Sequence, residues 1–211
     1  AIALDNSEAY AVAASAQRKA DQALHDLRQT QARLVEQNQA LERLAVTDQL
    51  TGLNNRLRLD QTLRDERQRH QRHGTNFCVL MVDVDHFKSI NDTHGHPVGD
   101  QVLMGIARAL QHKSREVDVV GRWGGEEFLV ICHETTIDGA LVMAEKLRQA
   151  VQAMQVPVPQ SGGPITVTVS IGLARHTPAD PLAGTLERAD QALYAAKAGG
   201  RNRVVPAPCL R

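Results

Sequence analysis

The sequence has few aromatic residues and no excess of charge of either sign. Aromatic residues make up 3% of its 211 residues, too few for a series of base-stacking platforms along a nucleic acid strand. Lys and Arg number 24, and Asp and Glu also number 24. This balance disfavours a broad electrostatic grip on duplex DNA or an anionic membrane. We therefore expect no nucleic acid partner, and any nucleotide site must be local and built from a few placed charges.

Cysteines are few, and long apolar runs are missing. Cys78, Cys132 and Cys209 are widely spaced and form neither a disulfide framework nor a zinc signature. No apolar run approaches the length of a membrane span, and no signal peptide is visible. We therefore predict a cytoplasmic chain without a membrane segment. Because it begins at Ala1 without Met, we expect a fragment of a longer protein, which can itself be membrane-tethered or carry a sensor domain before this fragment.

The first 46 residues contain neither proline nor glycine and have a heptad pattern. Small or apolar residues recur every seven positions, at Ala13, Ala20, Leu27, Leu34 and Leu41. Gln31 and Asn38 interrupt the second seam position, where polar residues can fix register and partner number. The pattern predicts a long N-terminal coiled-coil helix over 1–46 that pairs with a second copy. A helix packed on its own domain is the alternative, and its high polarity makes that less favourable.

Residues 47–205 predict one α+β domain, followed by a C-terminal tail at 206–211. Glycine, proline and periodicity signals divide this region into elements. We expect helices at about 56–73, 86–92, 100–113, 136–154 and 181–198, strands at 77–82, 165–174 and 201–205, a glycine hairpin at 118–132, and a loop at 93–99. This order predicts a central, antiparallel-type βαββαβ sheet of ferredoxin-like topology, flanked by helices.

Acidic residues concentrate at two positions that such a sheet makes neighbours. Asp83 and Asp85 end the first strand, and Glu126 and Glu127 follow two hairpin glycines. Gathered carboxylates repel one another unless cations neutralise them, and magnesium prefers such oxygen ligands. The basic residues Lys88, Lys197 and Arg201 could hold phosphates, so the pattern indicates two-metal phosphoryl or nucleotidyl transfer. Each element alone also fits solvated surface charges, and only their combination favours the metal–nucleotide interpretation.

Several motifs together resemble the GGDEF-domain diguanylate cyclases over residues 47–205. They are DQLTGLNNR at 48–56, DVDHFKSIND at 83–92, GHPVGD at 95–100, GGEEF at 124–128 and ALYAAKAGGRN at 192–202. Glu126 replaces the aspartate of the family signature, a variant that the family accepts. The resemblance implies a fold of polymerase-palm and nucleotidyl-cyclase type.

The resemblance also implies an activity and the residues that perform it. Two GTP molecules would condense into cyclic di-GMP, with release of two pyrophosphates, at the interface of a two-fold homodimer whose catalytic faces meet transiently. Two Mg²⁺ ions (Mn²⁺ is possible) would bind in each active site. The implied metal ligands are Asp83, the Val84 carbonyl, Glu126 and Glu127. Glu126 and Lys88 would be catalytic, and the implied substrate-binding residues are Phe87, Asn91, His96, Asp100, Lys197 and Arg201.

A second motif suggests regulation. Arg115 and Asp118 lie three residues apart, shortly before the hairpin glycines, and resemble the RxxD product-inhibition site of the family. Lys146 on the following helix is the candidate third member, with cyclic di-GMP as the inhibitor. An exposed ion pair is the alternative for Arg115 and Asp118. Two alternatives for the whole chain are a catalytically silent module that senses GTP or cyclic di-GMP, and a coiled-coil interaction module with a purely structural globular part.

Overall fold

The structure is a computed structural model, and it describes residues 22, 24, 25, 27–31, 33, 34, 46–158, 163–178 and 181–208. The chain divides into two compact units, Ala1–Ala45 and Val46–Arg211. In the first unit the described residues are helical, and the seam residues Leu27 and Leu34 are exposed by 64% and 55%. Gln31 is also helical and exposed, whereas the predicted seam positions Ala13, Ala20, Asn38 and Leu41 lie outside the described residues. The described residues therefore confirm the predicted helix between residues 22 and 34.

The second unit alternates helices and strands. In chain order its elements are α1 (Arg56–His73), β1 (Phe77–Val84), α2 (Phe87–His94), α3 (His96–Lys113), β2 (Val119–Gly124), β3 (Glu127–His133), α4 (Ile137–Gln152), β4 (Gln155–Val156), β5 (Ile165–Thr166), β6 (Val169–Arg175), α5 (Leu182–Ala198) and β7 (Val204–Pro206). None of the described helices is long and apolar enough to cross a membrane.

The main sheet has the strand order β2-β3-β1-β6-β7. Strand β1 pairs antiparallel with both β3 and β6, and β7 joins the edge parallel to β6. Alternate β1 residues face opposite sides: Leu80 and Val82 pack in a core with α3 and α4, whereas Phe77 and Val79 pack in a second core with α1 and α5. The predicted ferredoxin-like α+β fold is confirmed, with helices on both faces of a mixed sheet.

Three local predictions were wrong. The expected loop at 93–99 is helical apart from Gly95, whose φ of +82° separates α2 from α3; Pro97 is compatible with a first helical turn. The expected strand at 165–174 is interrupted at Val167 and Thr168, and only its second part, β6 from Val169, pairs with β1. As a result β5 pairs with β4 in a separate small sheet.

The third wrong prediction is the last strand, which spans Val204–Pro206 and not 201–205, because residues 201–203 form a bend before it. Pro206 belongs to β7, and the buried Ala207 donates its N–H to the Leu173 carbonyl at 2.7 Å. A proline is tolerated here because β7 is an edge strand. The packed domain therefore continues beyond residue 205.

Candidate active site

The glycine hairpin between β2 and β3 places its acids against the end of β1. Asp83 is the register partner of Glu127, and the Val84 N–H donates to the Glu126 carbonyl at 3.3 Å. Gly125 forms the turn with a φ of +47°, a conformation that favours glycine. The structure thus brings together three of the four predicted acids, namely Asp83, Glu126 and Glu127.

Arg122 fixes the conformation of this turn, a role that the sequence motifs did not indicate. Its guanidinium donates twice to the Gly125 carbonyl, at 2.9 and 2.6 Å, and pairs with Asp48 at 3.3 Å. Asp48 also accepts from the N–H and hydroxyl of Thr51 at 2.9 and 2.7 Å. The glycine hairpin is therefore tied to the segment that begins the domain.

The acidic centre is short of compensating positive charge. Asp83 is buried, and burial raises its pKa although Lys197 Nζ lies 2.8 Å from its carboxylate and opposes the rise. Burial, followed by the nearby Asp83 charge, also raises the pKa of Glu126 and of Glu127. Carboxylates whose pKa values are raised by burial and by one another's charge are favourable partners for a cation.

An oxygen-only donor set of this kind fits a hard divalent cation such as magnesium. Among the described residues, no three His, Cys, Asp or Glu side chains already converge into a closed metal cage. Magnesium does not require one, since it is commonly held by one or two carboxylates together with substrate phosphates and water. The residues present therefore fit a site that the substrate completes.

Asp85 does not share this role. Its two carboxylate oxygens accept hydrogen bonds from the Thr168 hydroxyl at 2.7 Å, the Ser170 hydroxyl at 2.7 Å and the Asn202 N–H at 3.0 Å. The four-acid cluster expected from the sequence is therefore a three-acid cluster, with Asp85 engaged by β6 and the loop after α5.

Asn91 of α2 packs against Gly99 of α3, next to Asp100, and we call these residues the Asn91–Asp100 site. The buried Oδ1 of Asn91 has no hydrogen-bond partner, which is costly for an acceptor unless a ligand supplies a donor. Gly99 makes room for this side chain, because a Cβ there would meet Asn91 Oδ1 at 1.9 Å and Phe87 Cζ at 3.2 Å. Asp100 is exposed beside Gly99 in the first turns of α3. The Asn91–Asp100 site therefore carries acceptors that the donors of a ligand could satisfy.

The other predicted substrate-binding residues differ in their contact with the acidic centre. Lys197 lies in the last turn of α5, and the charge of Arg201 just after this helix opposes the rise that burial causes in the pKa of Asp83. Lys88 on α2 and His96 at the start of α3 are exposed. Of the predicted phosphate-binding cations, only Lys197 contacts an acidic residue of the centre.

Arg115 is fixed beside a cavity, at the end of β3 that is remote from the glycine turn. Its guanidinium donates to both oxygens of Asp118, at 2.9 and 2.7 Å, and to the His133 carbonyl at 3.2 Å. The Asp118 side chain is fully buried, and this pairing raises the pKa of Arg115. The predicted pair thus exists as a preorganised, half-exposed guanidinium.

The cavity beside Arg115 has a volume of about 550 Å³. Arg58 and Arg69 of α1 line its wall, whereas Lys146 is exposed on α4 and does not line it. The two α1 arginines were missed because basic residues on the outer face of a helix look the same in sequence as a solvated surface.

The fold and the site together define a ferredoxin-like α+β domain with an acidic, cation-compatible centre at the end of its central strands. The family model described as "Diguanylate cyclase, GGDEF domain" matches residues 45–203. This chain belongs to that family.

Individual relatives agree with this assignment. Diguanylate cyclase DgcM of Escherichia coli is 41% identical over 184 residues, which cover 87% of this chain and 43% of DgcM. Response regulator PleD of Caulobacter vibrioides is 43% identical over 163 residues, covering 77% of this chain and 36% of PleD. The chain thus spans less than half the length of either relative.

A solved structure matches nearly the whole length of both chains. The crystal structure of the coiled coil and GGDEF domain of DgcB from Caulobacter crescentus in complex with c-di-GMP superposes with a TM-score of 0.83 at 34% identity. The match covers 87% of this chain and 97% of that one. The mixed five-stranded sheet is therefore the fold of known GGDEF domains.

Proposed function

We propose that this chain is a diguanylate cyclase that condenses two GTP molecules into cyclic di-GMP and two pyrophosphates. The pairing of Asp83 with Glu127 at the end of β1 carries this proposal, together with the hydrogen bond from the Val84 N–H to the Glu126 carbonyl. It gathers carboxylates that favour a cation, next to Lys197. The names of two relatives at 41% identity, diguanylate cyclases DgcP and DgcM, support the same activity.

The acidic centre would hold the metal. Asp83, the Val84 carbonyl, Glu126 and Glu127 would bind two Mg²⁺ ions, or Mn²⁺, together with the triphosphate. When bound, the ions supply electrophilic stabilisation of the phosphoryl and pyrophosphate oxygens. Lys197 has to exchange its contact with Asp83 for one with a phosphate, since an ion pair and a metal compete for the same carboxylate.

The remaining residues would orient and deprotonate the substrate. Glu126 would accept the proton of the 3′-hydroxyl, a task for which a raised pKa suits a carboxylate. Lys88 and Arg201 would hold the triphosphate with Lys197. These cations bring the attacking oxygen and the phosphorus together without covalent chemistry by the protein.

The Asn91–Asp100 site between α2 and α3 would bind the guanine base. The Asp100 carboxylate can accept from both the N1–H and the exocyclic amino group of guanine, and Asn91 Oδ1 supplies a further acceptor. Adenine offers no such donor pair, so it would leave these acceptors unpaired, at a cost on the order of 1–3 kcal/mol. Phe87 and His96 would pack beside the base.

Catalysis would require two copies of the chain. Each subunit would activate its own GTP and attack the GTP of its two-fold partner, with pairing of the 1–46 helix bringing the catalytic faces together. Product would inhibit at Arg115 and Asp118, with Lys146, Arg58 and Arg69 as the available further cations.

Incubation of the purified chain with GTP and Mg²⁺, followed by chromatography of the nucleotides, tests the activity. We expect cyclic di-GMP and pyrophosphate from GTP, no product from ATP, and no product from the Glu126→Gln variant. Tight GTP binding without product in the unmodified chain would instead identify a silent nucleotide sensor. Neither binding nor product would leave an interaction module.

A further inference from the structure

The loop that follows α5 has a backbone conformation that needs outside support. Gly200, Arg201 and Asn202 are consecutive residues with φ values of +113°, +61° and +47°. Residues other than glycine persist in the left-handed region only when their surroundings hold them there. Two such residues in succession therefore require specific partners.

Helix α5 holds only the first part of this loop. The Gly200 N–H donates to the Lys197 carbonyl at 3.4 Å, and the Arg201 N–H donates to the Ala196 carbonyl at 3.0 Å. These two bonds form a Schellman motif, the usual way in which a helix ends at a left-handed glycine. The motif stops at Arg201, so Asn202 must be fixed by something else.

Asp85 supplies that support from β1. Its Oδ2 accepts from the Asn202 N–H at 3.0 Å, while the hydroxyls of Thr168 and Ser170 donate to its two oxygens at 2.7 Å each. The side chain is buried, with 5% exposure. All three donors to this buried carboxylate are therefore groups of the protein itself.

Arg148 supports the same residue from α4. It donates to the Asn202 side-chain oxygen at 2.6 Å and is itself held by an ion pair with Glu145 at 2.6 Å. The backbone of Asn202 is therefore fixed by Asp85 and its side chain by Arg148. Between them these contacts determine the conformation of the residue that directly follows Arg201.

We propose that Asp85, together with Arg148, is a positioning residue that directs the Arg201 guanidinium toward the nucleotide phosphates. The charge of Arg201 is already felt at Asp83, so the loop conformation places it within electrostatic reach of the acidic centre. The inference rests on the proposed function, because the phosphates are those of GTP. It gives the second aspartate of the DVD sequence a role different from that of the first.

The kinetic test compares Asp85→Ala, Asp85→Asn and Arg201→Ala in the cyclase assay. We expect Asp85→Ala to raise the KM for GTP roughly tenfold, the scale of one lost charge-assisted hydrogen bond. Asp85→Asn keeps a carbonyl oxygen for the Asn202 N–H and should remain within about threefold of the unmodified chain. The Mg²⁺ requirement should stay the same in both variants.

A double-variant cycle separates positioning from general damage. If Asp85 acts through Arg201, Asp85→Ala adds little to the KM of an Arg201→Ala chain, because coupled residues are not additive. Multiplied effects would overturn the proposal, as would an Asp85→Asn variant that needs more Mg²⁺. Thr185→Ala, which removes another buried hydroxyl bonded to His176, controls for loss of stability. Arg148→Ala replaces Asp85→Ala if the latter does not fold, and it should show the same dependence on Arg201.

A measurement without nucleotide distinguishes failure of this inference from failure of the proposed function. Hydrogen exchange of the Asn202 amide, followed by NMR, should be slow in the unmodified chain and fast in Asp85→Ala. Unchanged exchange would overturn the proposed support by Asp85. An unmodified chain that makes no cyclic di-GMP would count against the cyclase activity, while the exchange result would still report on the loop.

Discussion

Gly99 leaves the space that the Asn91 side chain occupies, and this gives a prediction at the scale of one atom. In Gly99→Ala the added Cβ would lie 1.9 Å from Asn91 Oδ1, so the amide must leave its position. We expect the KM for GTP to rise about tenfold or more, by loss of one acceptor to the base. Steady-state kinetics with GTP measures this effect.

Gly105→Ala is the matched control on the same helix. Its Cβ would meet only the flexible end of Met154, at 2.7 Å from Sδ, and alanine favours helix equally at both positions. An equal rise of KM in both variants would contradict the role given to Asn91.

Glu126 illustrates a conflict between stability and function at a single residue. Its raised pKa means that ionisation of this carboxyl destabilises the folded, metal-free chain. The destabilisation is full above the folded-state pKa and disappears below the unfolded-state pKa. Glu126→Gln should therefore raise the metal-free Tm near neutral pH by on the order of 2 °C, and this gain should shrink as the pH falls.

Thermal unfolding of both chains over a pH series checks this prediction. Added Mg²⁺ should stabilise the unmodified chain and have less effect on Glu126→Gln. Glu187→Gln, at an exposed position on α5, is the control and should shift Tm little at any pH. A lower metal-free Tm for Glu126→Gln would mean that the acidic centre is not under repulsion.

At the scale of elements, the β2–β3 hairpin depends on Arg122. Removing this guanidinium breaks two donations to Gly125 and the pair with Asp48. We expect Arg122→Ala to cost about 1–3 kcal/mol of unfolding free energy and to lower kcat more than it raises KM, because Glu126 lies in the loosened turn. Denaturant unfolding and steady-state kinetics measure the two effects, with exposed Arg108→Ala as the control.

Helix α1 and the strands β2 and β3 form the cavity that Arg115 adjoins. If product binds there, Arg115→Ala should abolish inhibition by cyclic di-GMP, and Arg69→Ala should weaken it by roughly tenfold, since both remove a cation that can meet a phosphate or a guanine. Turnover at low product should remain. Progress curves with added product measure this, and the exposed Arg67 on the same helix provides the matched control as Arg67→Ala. Equal inhibition of the unmodified chain and the three variants would exclude the cavity as the binding site for product.

At the scale of the whole molecule, the proposed reaction is bimolecular in protein. Specific activity should increase with protein concentration and saturate once the two-fold dimer is fully formed. Removal of residues 1–45, which leaves the compact unit Val46–Arg211, should shift this dependence to higher concentration without changing the product. Activity assays across a dilution series, paired with sedimentation, check it. A truncated chain with an unchanged concentration dependence would exclude a role of the N-terminal helix in pairing.

The global architecture was predictable from sequence because periodicity and punctuation are local signals. The buried β1, the glycine hairpin and the amphipathic helices can each be recognised from the pattern of about ten consecutive residues. The separation of Asp85 from Asp83 could not be predicted in this way. It depends on hydroxyls at 168 and 170 and on a loop 117 residues further along the chain. The same holds for Arg122, whose partner Asp48 is 74 residues away.

The segment before α1 adjoins β2 closely, and this contact has a mechanical consequence. The Arg122 N–H donates to the Asn54 carbonyl at 2.8 Å, and the Asn54 amide donates to the Val120 carbonyl at 2.8 Å. Gly121 permits the approach, since a Cβ there would lie 2.5 Å from the Asn54 oxygen. A force on this segment directed along β2 would act on these bonds and on the Asp48–Arg122 pair at the same time. Small displacements of the segment would therefore be transmitted to β2, the strand that ends in the glycine turn, and the bonds would not break one after another.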